Sequence, residues 1–505
     1  MLRIFCSTRC LLLACCCLVL GLFALPVSGA GKSAKRVSDP LVIHEWGTFT
    51  CLQDERGESI AGVNTDDEPV PQFVHRISDL IPRPSELAPV YYKGVPRSHR
   101  KVHMRLETPV VYFYPPAQQQ EPLHVNVKVG FRGGWLTEYY PHAEVNAPGL
   151  RDGNFDYGRL TTQTRGTLEW NDLTIGAGGR IPETNAPVWL APRDVPAATV
   201  RAPGGEAEKY LFYRGVGNIR SPLRVTRAGN DLLVHEDLDA SLGLRAPLSL
   251  REIWLVHVRE DGTVAFRSLG GAEFTGEKGH VVLRTALAPA RGTAGNASED
   301  PTGNVSRPRD IENLLGEYST ENLARLRREM RAALITDGLF EPEADAMLKT
   351  WELAYFKSAG LRLFYLLPQQ WTDAVLPLEC DRLSRVVRTM VGRIEMVTPR
   401  QRDLLRQIGR SEVSSSDWFF RSVDSRSDRN EAYSQLWEGK VRLSELNVPV
   451  PEDYQAYLAL GRFRNALLLD EEARRSSEGI RKFNEAYAIQ YYAPDDEDSK
   501  TAAAK

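Results

Sequence analysis

Between residues 40 and 288 apolar residues recur mainly at every second position, the period of a half-buried strand. Val102, Met104 and Leu106 alternate with His103, Arg105 and Glu107, and "PVVYFY" continues the run to Tyr114. Beyond "PPAQQQEP", Leu123, Val125, Val127, Val129 and Phe131 alternate with His124, Asn126 and Lys128. These two segments are expected to pair as a hairpin. "IWLVHVREDGTVAFRSL" reads as a second hairpin, with Asp261-Gly262 placed for a type I′ turn. "WLTEYY", "LEWNDLTI", "KYLFYRGVG", "DLLVH" and "HVVLR" add short strands between Gly and Pro turns. The pattern predicts a β-rich, sandwich-like antiparallel domain over residues 38–288.

From Asp310 the period lengthens. Leu323, Leu326, Met330 and Leu334 line one helical face. "EPEADAMLKTWELAYFKSAG" predicts a second helix, with Pro342 in its first turn. "GLRLFYLLP" and "RVVRTMVGRIEMVT" return to strand spacing, Thr398-Pro399 caps a further helix, and Tyr454 to Tyr491 is helical with a break near Ser476 to Gly479. Residues 310–494 are therefore expected to form a mainly α region with a small strand insertion. "PARGTAGNASEDPTGNVSRPR", residues 289–309, has no apolar period and reads as a flexible linker. Asn296 and Asn304 within it head N-x-S sequons. Residues 495–505 read as a disordered acidic tail.

The N-terminus changes the expected compartment. Arg3 and Arg9 precede an uncharged apolar run from Cys10 to Leu25, and Ser28-Gly29-Ala30 fits the small-residue cleavage rule. Residues 1–30 are expected to be a signal peptide, so that the chain is exported to the periplasm or beyond. Leu12-Leu13-Ala14-Cys15 also fits a lipoprotein box, which gives a lipid-anchored alternative. No later apolar run is long enough to span a membrane. Five of the seven cysteines fall in this segment. Cys51 and Cys380 remain, and separate buried thiols are expected rather than a long-range disulfide.

With 505 residues, more than one core is expected. The net charge of -3 gives no overall case for nucleic acid. Charge-driven binding must then come from a local patch, and "PRSHRKVHMRLE" is the densest. Arg97, Arg100, Lys101 and Arg105 meet no acid until Glu107. Such a field favours an anionic polymer or glycan over a divalent metal. The alternative is a salt-bridged surface.

"VIHEWGTFTC" carries the other candidate chemistry. A zincin helix needs a second His four residues after His44, and that position is Thr48. Read as a strand, the segment puts His44, Trp46, Thr48 and Thr50 on one face and Ile43, Glu45, Phe49 and Cys51 on the other. Both faces carry bulky apolar groups, so the strand is expected to be central and its ionisable groups to need partners. His44 and Glu45 cannot share one ion without a bulge. His103 and Glu107 are a second acid–base pair of candidates, about 13 Å apart at strand rise. Asp66, Asp67, Glu68 and His75 are weak metal-ligand candidates on a Pro-rich loop without EF-hand spacing. The sequence has neither a nucleophile-elbow serine nor a phosphate loop, and no motif names a cofactor. All nine histidines lie between His44 and His280, so any His-based site belongs to the β region.

"HEWGTFT", "RLETPVVYFYP", "YLFYRGVGN" and "LPLECDRLSRVVRTMVGRIEMVTP" resemble segments of a group of uncharacterised exported bacterial proteins that share the HEWGTFT motif. The resemblance implies export and a common architecture, and carries no ligand or catalytic residue with it. Two functions are therefore expected. One is an envelope binding or scaffold module, and the other is a hydrolase or lyase of an envelope polymer. Convergence of His, carboxylate and cation in one concave pocket separates them.

Overall fold

The computed structural model describes residues 39–64, 70–80, 95–149, 160–228, 231–244, 248–274, 315–413 and 450–492, with the backbone of 91 and 92. The signal segment, the Asp66, Asp67 and Glu68 candidates, the 289–309 linker and the acidic tail lie outside the described residues. The principal strands are β1 (Leu41–Gln53), β2 (Met104–Tyr114), β3 (Leu123–Arg132), β4 (Gly134–Tyr140), β5 (Arg165–Ile175), β6 (Leu211–Gly217), β7 (Leu248–Val258), β8 (Val264–Phe274), β9 (Gly360–Leu367) and β10 (Ser384–Met396). The principal helices are α1 (Pro187–Arg193), α2 (Thr320–Asp337), α3 (Glu341–Thr350), α4 (Gln369–Val375), α5 (Pro399–Arg410), α6 (Glu452–Ala459), α7 (Arg464–Arg475) and α8 (Glu478–Ala486).

The β-rich expectation holds, with helices mainly in the C-terminal half. Among the described residues the strands join in one large mixed sheet, running β5-β4-β6-β2-β1-β10-β9-β7-β8 through its centre. It is mixed rather than purely antiparallel because β1 and β10 run parallel, with His44 beside Val387 and Glu45 beside Arg388. Strands from beyond the expected linker thus sit between β1 and β7, and the sheet does not stop at residue 288.

Two local expectations are corrected. β2 does not pair with β3; it lies between β1 and β6, while β3 pairs with β5 and with Leu378–Cys380. The burial patterns give the reason. β2 is covered on both faces and needs a central position, whereas β3 alternates buried and exposed residues. The β7–β8 turn is not type I′, because only Gly262 has positive φ, at 81°. The Asp261 carboxylate accepts from the Thr263 amide at 2.9 Å and hydroxyl at 2.7 Å, which holds Asp261 out of the left-handed region.

Each face of β1 feeds its own core. Ile43, Phe49 and Cys51 join Leu106, Val111 and Phe113 of β2, together with residues of α5, α7 and α8. Trp46 joins Val110 and Tyr112, Trp189 of α1, Leu326, Met330 and Leu334 of α2, and Met347 of α3. The predicted apolar stripe of α2 is the face that is buried. Thr398 caps α5 through a capping box with Pro399 in the first turn, as the sequence predicts. Cys51 and Cys380 are both free; Cys51 is buried, and burial pushes its thiol up to about 12.

Candidate functional site

The partners of His44 and Glu45 place them on opposite faces of the sheet. His44 Nδ1 lies 2.8 Å from Glu343 Oε2, and its ring packs against Phe340 and Tyr114. Glu343 is fully buried. It also accepts from the Tyr114 hydroxyl at 2.8 Å and the Phe340 amide at 2.7 Å. The same carboxylate therefore starts α3 and orients His44. On the other face, Arg388 Nε donates to Glu45 at 2.5 Å, and the Tyr213 hydroxyl donates to the second oxygen. Arg388 Nη1 reaches Asp373 at 2.9 Å. Burial pulls the Arg388 guanidinium down, but Glu45 and Tyr213 outweigh it and hold the cation above its ordinary value. Burial and the Glu45 charge together raise Tyr213. His44 and Glu45 thus belong to two separate polar clusters.

A third cluster closes the ends of the central strands. Arg105 and Glu107 are fully buried and pair at 2.8 Å; Glu107 also accepts from Thr50 at 2.8 Å and from Arg462 at 3.1 Å. Beside them Glu395 receives Arg393 Nε at 2.7 Å and faces Arg362 Nε at 3.0 Å. Arg362 also donates to the carbonyls of Ala354 and Tyr355, each at 2.9 Å, and of Ser358 at 2.7 Å. Burial lowers Arg362 to about 10 against the pull of Glu395, and the neighbouring Arg393 and Arg462 cations add to the lowering. His103 stands apart from Glu107. It precedes β2, its ring meets Asn218, and burial lowers its pKa.

The basic stretch divides the same way. Arg105 belongs to the buried cluster, whereas Arg97, Arg100 and Lys101 lie where the chain beyond α8 docks. Arg97 donates to the Ala488 carbonyl at 3.4 Å, the Arg100 amide to Tyr492 at 3.2 Å, and the Tyr492 amide returns to Ser98 at 3.1 Å. The exposed Arg100 guanidinium lies 5.3 Å from the centre of the Tyr491 ring. Both line a surface groove of about 1000 Å³ with Ser476, Asn484 and Gln490. The groove's carboxylates are already engaged, Glu472 by Asn484 and Glu485 by Arg481. Arg100 and the exposed Lys101 have no acidic partner among the described residues.

His75 pairs with Glu206 at 2.9 Å and stacks on Tyr139 and Tyr140. Among the described residues no three His, Cys, Asp or Glu side chains gather closely enough to hold a metal. Sequence reasoning did not single out Glu343, Arg388, Arg393, Glu395 or Tyr491. The readable signal was in "RVVRTMVGRIEM", where charges interrupt an otherwise apolar strand and call for buried partners.

No protein-family model matches the chain, and no curated protein matches it significantly.

Proposed function

We propose that the protein is an exported binding module of the cell envelope that takes an anionic glycan, such as a uronate or sulfated polymer, in the groove beside Arg100. The observation that carries this reading is the exposed Arg100 guanidinium on the Tyr491 ring, at a groove whose own carboxylates are engaged. At 5.3 Å the cation lies within reach of the ring face, and its N–H groups can serve a bidentate oxyanion. Lys101 adds a second positive charge, and Gln490 and Ser476 supply neutral hydrogen-bonding groups suited to sugar hydroxyls. Export rests on the n-region, apolar run and Ser28-Gly29-Ala30 site.

The hydrolase reading has less support. Its candidates His44, Glu45, His103 and Glu107 are distributed among separate, largely buried settings rather than one concave pocket.

The test is binding of a sulfated or uronate polymer to the wild type and to an Arg100→Ala, Lys101→Ala double variant, at two salt concentrations. Wild-type affinity should fall as the Debye length shrinks from about 10 Å at 0.1 M to about 3 Å at 1 M. The double variant should bind weakly at both and melt within about 1 kcal/mol of the wild type, since both side chains are exposed. Absence of wild-type binding, or equal binding by the variant, refutes the proposal.

A further inference from the structure

A second cleft, of about 440 Å³, lies where the β7–β8 turn, the first residue of β9, the N-terminus of α5 and the α6–α7 junction meet. Gly360 lines it at φ 148°, backed by the buried charge cluster. A Cβ there would stand 2.9 Å from Arg362 Nη2 and 3.1 Å from Glu395 Oε2. His257 forms one wall and is 8% exposed. Its Nδ1 is 2.8 Å from the Tyr318 hydroxyl, and its Nε2 has no partner among the described residues. The Arg259 guanidinium lies over the Tyr318 ring, 3.5 Å from its centre.

The first turn of α5 leaves one donor over. Pro399 has no N–H, while Thr398 takes the Gln401 amide through its hydroxyl and the Arg402 amide through its carbonyl. The Arg400 amide has no partner among the described residues, at the positive end of a twelve-residue helix. The rim carboxylates are each committed. Glu260 pairs with Arg400 at 2.9 Å, Asp261 binds Thr263, and Asp403 pairs with Arg406. Each rim carboxylate is thus engaged through one oxygen, and His257 Nε2 and the Arg400 amide are left without a partner among the described residues.

We propose that this cleft binds a small oxyanion, a carboxylate or a phosphate group, held by His257 Nε2–H, the Arg400 amide and the Arg259 guanidinium. Binding takes the tautomer in which the Tyr318 hydroxyl donates to Nδ1 and the imidazole carries its proton on Nε2. Burial, with Arg362 and Arg259 nearby and Glu395 opposing them, lowers His257 to about 4, so the ring donates as a neutral group at physiological pH. The site is independent of the Arg100 groove.

Isothermal titration of the mature chain with inorganic phosphate, and separately with glucuronate, tests this. One equivalent of at least one probe should bind; phosphate alone identifies a phosphoryl ligand, and glucuronate alone a carboxylate. His257→Phe should weaken binding roughly tenfold, the loss of one hydrogen bond to a charged group. Arg400→Ala, at an exposed side chain, should also weaken it by leaving Glu260 uncompensated at the rim, and Glu260→Gln should tighten it. Repeating both titrations in the Arg100→Ala, Lys101→Ala variant removes any glucuronate held in the Arg100 groove, so that the one equivalent counted there is that of this cleft. Absence of saturable binding of either probe, or binding that survives both His257→Phe and Arg400→Ala, overturns the proposal.

Discussion

Replacing Arg388 by Met removes the one cation bonded to Glu45 among the described residues and keeps most of the side-chain volume. Glu45 is fully buried and Arg388 is 3% exposed, so among the described residues the carboxylate left behind keeps the Tyr213 hydroxyl as its one side-chain donor. Breaking a buried pair from one side costs about 3–5 kcal/mol. The reverse change is milder. Glu45→Gln leaves Arg388 still bonded at 2.9 Å to Asp373, whose side chain is 50% exposed, so about 1–3 kcal/mol is expected. In the double variant neither charge is stranded. It should be no less stable than Arg388→Met alone, a coupling of about 1–3 kcal/mol. Urea denaturation of the four proteins measures this. With a slope of about 3 kcal/mol per M, Arg388→Met should lower the midpoint by about 1–1.7 M, and adding Glu45→Gln should not lower it further. Additive losses, with coupling under about 0.5 kcal/mol, would show that Glu45 does not depend on Arg388. Its place in the HEWGTFT segment would then need a different explanation from architecture.

Two further outcomes are expected. Gly479→Ala should destabilise by about 1–3 kcal/mol in thermal melts, because its Cβ would stand 2.0 Å from the Gly409 carbonyl oxygen where α5 and α8 touch, and backbone cannot yield as a side chain can. His257 should make stability fall on acidification. Its folded value of about 4 lies below the unfolded value of about 6.5, so the unfolded chain binds more protons between them. That contribution, roughly 3 kcal/mol, is complete above pH 6.5 and lost as pH falls toward 4; His257→Phe should flatten this part of the profile, and an unchanged slope would contradict the assignment.

Period and caps were the most legible features. The two-residue repeat of "VIHEWGTFTC" assigns His44 and Glu45 to opposite faces, and the structure gives them partners on opposite faces. Thr398-Pro399 marks the start of α5 to the residue. Strand partners were not legible, because an alternating pattern reports which side chains are buried and says nothing about which strand lies alongside. Alternation alone pairs β2 with its sequence neighbour β3, whereas the burial of both its faces in the structure goes with a central place. The charge run from Arg97 to Arg105 shows the same limit. Density alone made the four cations one patch, yet Arg105 belongs to an apolar strand and is buried with Glu107, while Arg100 precedes the strand and is exposed. The cleft at His257 left no sequence signal, since its walls come from four segments that meet only in the fold.

The buried charges on β1 also bear on how the sheet chooses its register. β1 and β10 are parallel, and the Glu45–Arg388 bond joins residues 343 apart in the chain, so no tight turn fixes their alignment. Both strands are largely buried on both faces, so burial alone does not separate this register from one slipped by a residue. Such a slip would turn Arg388 away from Glu45 and strand two buried charges. Moving β1 itself would in addition carry His44 to the wrong face and away from Glu343. Each misalignment then costs several kcal/mol that the native register avoids, even where the net gain from the pair itself is small. The adjacent His and Glu in this strand therefore act best as a two-sided key: one residue tests the fit of β10, the other the fit of α3, and only one alignment satisfies both.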